Sequence, residues 1–224
     1  ALATARYGLA GAGTQNEGLT MGGLANIDSQ YVNVSCTEEY NGTTWSAGGA
    51  LINASRNLAG AGTQNVGLAV GGITNAAASC TEEYNGTSWS AGGALITARY
   101  CLAGAGTQNV GLAFGGIAGL SCTEEYNGTS WSTSGALITG RSGLSGAGTQ
   151  NVGLAAGGCI SANVGLSCTE EYNGISWSAG GVLITARSGL AGAGTQNEGL
   201  VTGGSPVSST EEYNKSITIV DIQL

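Results

Sequence analysis

The sequence predicts an all-β chain built from five copies of one four-stranded unit, and three observations carry that prediction. Two strings, GAGTQN and TEEYN, alternate five times along the 224 residues. Each copy splits into four short strand-like segments punctuated by Gly, Asn-Gly or Thr-Gln-Asn. No segment carries a helical apolar period of adequate length.

The landmarks recur in a fixed order, the signature of a repeat architecture. GAGTQN begins at Gly11, Gly60, Gly104, Gly146 and Gly192. TEEYN begins at Thr37, Thr81, Thr123, Thr169 and Thr210, with a Gly-Gly pair between the two strings every time. A Trp follows in four copies, at Trp45, Trp89, Trp131 and Trp177. Successive GAGTQN strings lie 49, 44, 42 and 46 residues apart. The segments after Gly-Gly hold 12, 7, 5, 9 and 4 residues, and without them the first four units share a constant frame of 37 residues.

Within a unit, strand A runs from the Arg through LAGAG, and strand B is the GLAxGG segment. Strand C carries CTEEY, and strand D carries the Trp and the Gly-Gly-Ala-Leu after it. Asn-Gly after the first four Tyr residues predicts a two-residue type I′ hairpin between C and D. Four-stranded units of this length in series predict a five-bladed β-propeller in one domain over 1–224, with blades near 1–51, 52–95, 96–137, 138–183 and 184–224. An open β-solenoid is the alternative. A five-bladed ring has a narrow channel, which explains the Gly and Ala of strand A; Trp and Tyr would fill the wider wedge between blades. The tail SITIVDIQL reads as a β-prone cap. The segment Ala1–Arg6 reads like the second half of GGALITAR, as though the chain began just after an upstream blade.

The Gly-Gly doublet, the Glu-x-Tyr strand, the Trp and the Arg before the next strand together resemble the kelch repeat over nearly the whole chain. The wording also resembles kelch-like repeats of marine phage structural proteins. The resemblance implies a propeller, commonly of six or seven blades. It also implies that the first Glu of each pair meets the Arg of strand A. Arg6, Arg99, Arg141 and Arg187 occupy that position; in the second unit Ser55 takes it and Arg56 is shifted by one.

Composition narrows the function. Only 9% of residues are charged and the net charge is −8, with Lys215 the single lysine. Such a chain is repelled by nucleic-acid phosphates and anionic membranes, so neither is expected as a partner. No apolar stretch reaches a membrane-spanning length. The absence of His removes the usual general base and the commonest metal ligand. Copper-radical oxidases also use kelch propellers, but they need His ligands. No signal-peptide pattern is visible and the first residue is Ala1, so the chain reads as a processed product or part of something longer.

The residues that look reactive have structural explanations. Neighbouring Glu residues on a strand point to opposite faces, so the five Glu-Glu pairs cannot act as bidentate metal sites. Cys36, Cys80, Cys122 and Cys168 share one strand position and lie too far apart for disulfides; with Cys101 and Cys159 they are expected to be mostly free, buried, inert thiols. NGT at Asn41, Asn85 and Asn127 matches a glycosylation sequon, but the hairpin turn accounts for it. GAGTQN lacks the Lys and following helix of a phosphate loop. No cofactor, no metal and no enzymatic activity are expected.

The expected function is recognition or structure, in a phage virion or tail appendage and hence a virion or extracellular setting. The B–C loops vary in length on a constant frame, the usual place for binding. The longest, 24–35, offers Asn26, Asp28, Gln30, Tyr31 and Asn33; Asn75 and Asn163 lie in other B–C loops. These suit a glycan or protein partner. A second set, Gln15, Gln64, Gln108, Gln150 and Gln196, recurs in the A–B turns on the opposite face; turn chemistry is its simpler explanation. The alternatives are an assembly or scaffold subunit without ligand, in a homo-oligomer or larger complex, and a propeller-type hydrolase or oxidase.

Overall fold

The computed structural model describes residues 1–160 and 164–215. The first unit contains β1 (Arg6–Tyr7), β2 (Ala10–Gly13), β3 (Gly18–Met21), β4 (Leu24–Ile27), β5 (Gln30–Asn33), β6 (Thr37–Tyr40) and β7 (Trp45–Ala47). The second contains β8 (Ala59–Gly62), β9 (Gly67–Val70), β10 (Thr81–Tyr84) and β11 (Trp89–Ala91). The third contains β12 (Ala103–Gly106), β13 (Gly111–Phe114), β14 (Thr123–Tyr126) and β15 (Trp131–Ser134). The fourth contains β16 (Ser145–Gly148), β17 (Gly153–Ala156), β18 (Leu166–Tyr172) and β19 (Trp177–Arg187). The fifth contains β20 (Ala191–Gly194), β21 (Glu198–Thr202) and β22 (Thr210–Asn214).

These strands form six antiparallel sheets: four of four strands, and two of three, β20–β21–β22 and the small sheet β1–β4–β5. Each four-stranded sheet is a meander in chain order, and the register repeats. In the third unit Gly104 faces Ala113, Ala113 faces Glu124 and Glu124 faces Thr133. The fold is all-β and of repeat, propeller-like type. The predicted cap SITIVDIQL lies outside the described residues.

The core lies between units rather than within them. Leu68, Val70 and Leu95 of the second unit pack with Leu102, Ala113, Tyr126 and Trp131 of the third. The same set recurs one unit later, with Leu112, Phe114 and Leu137 against Leu144, Ala155, Tyr172 and Trp177. This explains why β9, β13 and β17 are buried at every residue. A strand covered on both faces reads as a continuous apolar run rather than an alternating one.

The inner strands β2, β8, β12, β16 and β20 touch in series. Together they line a cavity of about 900 Å³ walled by Ala and Gly. The approach is close: a Cβ on Gly104 would lie 2.9 Å from the Gly60 carbonyl oxygen. Closure of the series into a ring was also expected, but among the described residues the junction from the fifth unit back to the first is not made. A Cβ on Gly11 would meet no neighbouring unit, only the Leu19 carbonyl of its own.

The C–D turn differs from expectation, and the longest B–C loop holds a hairpin of its own. The C–D connection is a four-residue turn, Asn41–Thr44 in the first unit, with Tyr40 opposite Trp45. Only its Gly has positive φ, 88° at Gly42. The Asn41 side-chain oxygen accepts from the Thr43 and Thr44 amides at 3.0 and 2.9 Å. That Asx closure replaces the type I′ geometry, which would need positive φ at Asn as well. Conversely, the 12-residue loop is not irregular. It forms the β4–β5 hairpin, with positive φ at Asp28 (50°) and Ser29 (66°), the values a type I′ turn requires.

Candidate binding face

The hairpin places the predicted residues on a defined surface. Register pairs Asn26 with Tyr31 and Leu24 with Asn33, while Tyr7 on β1 pairs with Leu24. Cross-strand partners share a face and alternate residues return to it, so Tyr7, Asn26, Tyr31 and Asn33 share one side. Tyr31 is 65% exposed, and its ring meets Tyr7 edge-on, with centroids 6.2 Å apart and planes at 70°. Asn26, Asp28 and Gln30 are exposed, and their side chains make no hydrogen bond among the described residues.

Asn33 is committed to the frame. Its amide nitrogen donates to the carbonyls of Ile73 (2.9 Å) and Thr74 (2.7 Å) in the second unit's B–C loop. Its oxygen accepts from Arg56 Nη1 at 2.6 Å. Beside it opens a groove of about 440 Å³ lined by Val32, Asn33, Ile52, Asn53, Thr74 and Asn75. The structure therefore brings Asn33 and Asn75 together, with Tyr31 on the adjacent hairpin. Asn163 lies outside the described residues.

Tyr7, Asn53 and Arg56 were not among the expected site residues. The second unit's break in pattern was the visible signal for Arg56. A one-residue shift turns its side chain to the other face of the strand, away from Glu82 and toward Asn33. Asn53 makes up part of the loss, since its side-chain nitrogen donates to Glu82 at 3.0 Å. The surface can offer aromatic edges and faces for stacking and amide groups for hydroxyl or peptide contacts.

Four of the Gln set act as inter-unit staples. Each of Gln64, Gln108, Gln150 and Gln196 donates its amide to two backbone carbonyls of the preceding unit. Gln108, for example, reaches Gly67 at 3.0 Å and Tyr84 at 2.7 Å; the other three repeat the pattern. Gln15 is exposed and has no such bond among the described residues.

The carboxylates divide by face, as adjacent strand positions must. The first Glu pairs with the strand-A Arg in four units: Arg6–Glu38, Arg99–Glu124, Arg141–Glu170 and Arg187–Glu211. It also accepts two backbone amides of the preceding D–A connection, as Glu124 does from Ile96 and Thr97. Burial opposes the charge on Glu38, but the bonds from Arg6, Ala3 and Thr4 together hold its carboxyl below the ordinary value. The second Glu accepts from the Tyr hydroxyl of the next unit: Tyr84 to Glu39, Tyr126 to Glu83, Tyr172 to Glu125 and Tyr213 to Glu171. Burial, reinforced by these acidic partners, raises all four phenols, Tyr172 to about 12.

All six cysteines are free, but they are half-buried rather than fully buried. Cys122 and Cys168 accept from Arg99 and Arg141 at 2.7 and 2.9 Å, which explains why the thiols flank the ion pairs. Burial raises the Cys80 and Cys101 thiols. Among the described residues no three potential ligands converge on a metal position. No protein-family model matches the chain, and no curated protein matches it.

Proposed function

We propose that the chain contributes five blades to a kelch-type β-propeller and acts as a non-catalytic recognition module. Its setting would be a virion or tail appendage of a phage. The partner is a glycan or protein taken by the B–C loop face. The single observation that carries this reading is the ordered hairpin Leu24–Asn33, which holds Tyr31 against Tyr7 beside the groove bearing Asn33 and Asn75. A loop without a role has no need of a turn with two left-handed residues or of exposed paired aromatics. The Gly-Gly, Glu-x-Tyr, Trp and Arg landmarks support the kelch assignment, as does the recurrence of the Arg–Glu pair. The resemblance to phage repeats supports the setting.

The test is binding of the folded chain to a glycan panel and to candidate host cells. Tyr31→Ala is expected to weaken a detected interaction roughly tenfold, the effect of losing a central aromatic contact of about 1.4 kcal/mol. Asn75→Ala should weaken it less. A folded sample that binds neither panel nor cells, or whose binding ignores both substitutions, removes the recognition reading.

A further inference from the structure

The first and fifth units end in surfaces that match each other. Each of the four junctions in the chain has two halves. The downstream unit supplies a Gln amide, a Tyr hydroxyl and, in three of the four, a Trp indole. The upstream unit supplies the Gly and Tyr carbonyls, the second Glu and the Thr hydroxyl that receive them. Trp89, Trp131 and Trp177, for instance, donate to Thr37, Thr81 and Thr123, each at 2.9 Å. A Leu on strand B of the upstream unit fills the space over the downstream Gly; Leu68 lies 2.8 Å from where a Cβ on Gly111 would be.

Among the described residues the first unit carries only the donor half unmet, and the fifth only the acceptor half. Gln15 has no acceptor, Trp45 makes no indole bond, and the Tyr40 hydroxyl turns back to the Gly42 carbonyl. At the other end Glu212 and Thr210 are exposed. Leu200 is 39% exposed, whereas Leu19, Leu68, Leu112 and Leu154 are at most 2% exposed. Strand β21 alternates exposed and buried where β9, β13 and β17 are buried throughout. The backbone agrees. Asn57, Cys101, Gly143 and Gly189 each donate to the equivalent residue one unit earlier, starting at the Gly8 carbonyl. The next link, from the Gly8 amide to Gly189, is absent among the described residues.

We infer that these end faces are an assembly interface, and that its occupant is a second copy of this chain joined head to tail. The first unit of one copy, with Gln15, Tyr40 and Trp45, docks on the fifth unit of another, against Leu200, Thr210, Glu212 and the Gly199 and Tyr213 carbonyls. No new chemistry is required, because the interface already occurs four times within the chain. The contact is heterologous, so it stops at a ring if the rotation closes and runs on as a filament if it does not. The inference is independent of the loop-face reading.

Sedimentation of the full chain over a range of concentrations tests it. The wild type is expected to gain mass with concentration. Leu200→Glu blocks only the acceptor face, and Gln15→Glu sets a carboxylate against two carbonyls at the donor face. Both positions are exposed, so both variants should fold. Each alone should remain monomeric, with self-affinity reduced at least tenfold, while an equimolar mixture should form a dimer and stop there. A wild type that stays monomeric, whether its faces remain bare or close on each other, overturns the inference. So does association that persists in both variants. Glycan or cell binding by a monomeric Leu200→Glu would leave the loop-face reading intact.

Discussion

At the scale of single residues, the molecule spends side chains on joining units. Gln108 shows the consequence most simply. Replacing it with Ala removes both bonds to Gly67 and Tyr84 and leaves two carbonyls at a packed junction without their donor. The expected loss is about 1–3 kcal/mol by denaturant unfolding. Gln15→Ala, at a position with no partner among the described residues, should change monomer stability by less than about 0.5 kcal/mol. The phenol–carboxylate pairs set an alkaline limit. A phenol whose folded pKa is raised stabilises the fold fully below its ordinary value of 10 and loses that contribution as pH rises through the folded value, about 12 for Tyr172. Stability should therefore fall above pH 10, with the four junction tyrosines ionising as the chain unfolds; tyrosinate absorbance followed beside circular dichroism checks this. Glu38 works in the opposite sense. Its folded pKa is depressed, so its contribution is complete above the ordinary 4.5 and disappears as pH falls through the lowered value. Glu38→Gln should flatten that acid slope.

At the scale of elements, the four-strand meander was legible because its punctuation repeats. The staples were legible only in part. Gln and Tyr recur visibly, and each Gln lies 24 residues after the Tyr whose carbonyl it reaches, because no variable loop intervenes. Nothing in a single strand, however, announces that a backbone carbonyl is the acceptor. The Trp–Thr bonds were hidden further, since they span the variable loop and their separations are 52, 50 and 54. The β4–β5 hairpin was missed because its turn is Asp-Ser rather than Asn-Gly, and the Asn-Gly turns misled because the Asn side chain closes a longer loop. Gly93 marks how closely elements of adjacent units approach. A Cβ there would sit 2.1 Å from the Thr129 carbonyl oxygen. Gly93→Ala is expected to destabilise by about 1–3 kcal/mol through forced backbone movement, read as a lower urea midpoint.

At the scale of the whole molecule, each unit is stabilised mainly by the units on either side. Stability in such an array is close to a sum of unit and nearest-neighbour contributions. The third unit has two complete junctions, while the first and fifth each have one among the described residues. Native-state hydrogen exchange should therefore find the slowest amides in β13 and β14 and faster exchange in β3 and β21. Uniform protection across all units would mean that the terminal junction is satisfied in solution, and the concentration dependence of exchange at β21 would tell whether another copy satisfies it.

The single variable segment also bears on how such a chain can change. Lengthening the connection after Gly-Gly from 4 to 12 residues raises the entropy lost in tying its ends by only about 1 kcal/mol, because that loss grows with the logarithm of length. The five attachment points are set by strands whose contacts lie elsewhere, at the junctions. Loop length and loop sequence are thus free to be searched at almost constant fold stability, in five places at once, except where one loop is tied to the next, as Asn33 is to the Ile73 and Thr74 carbonyls.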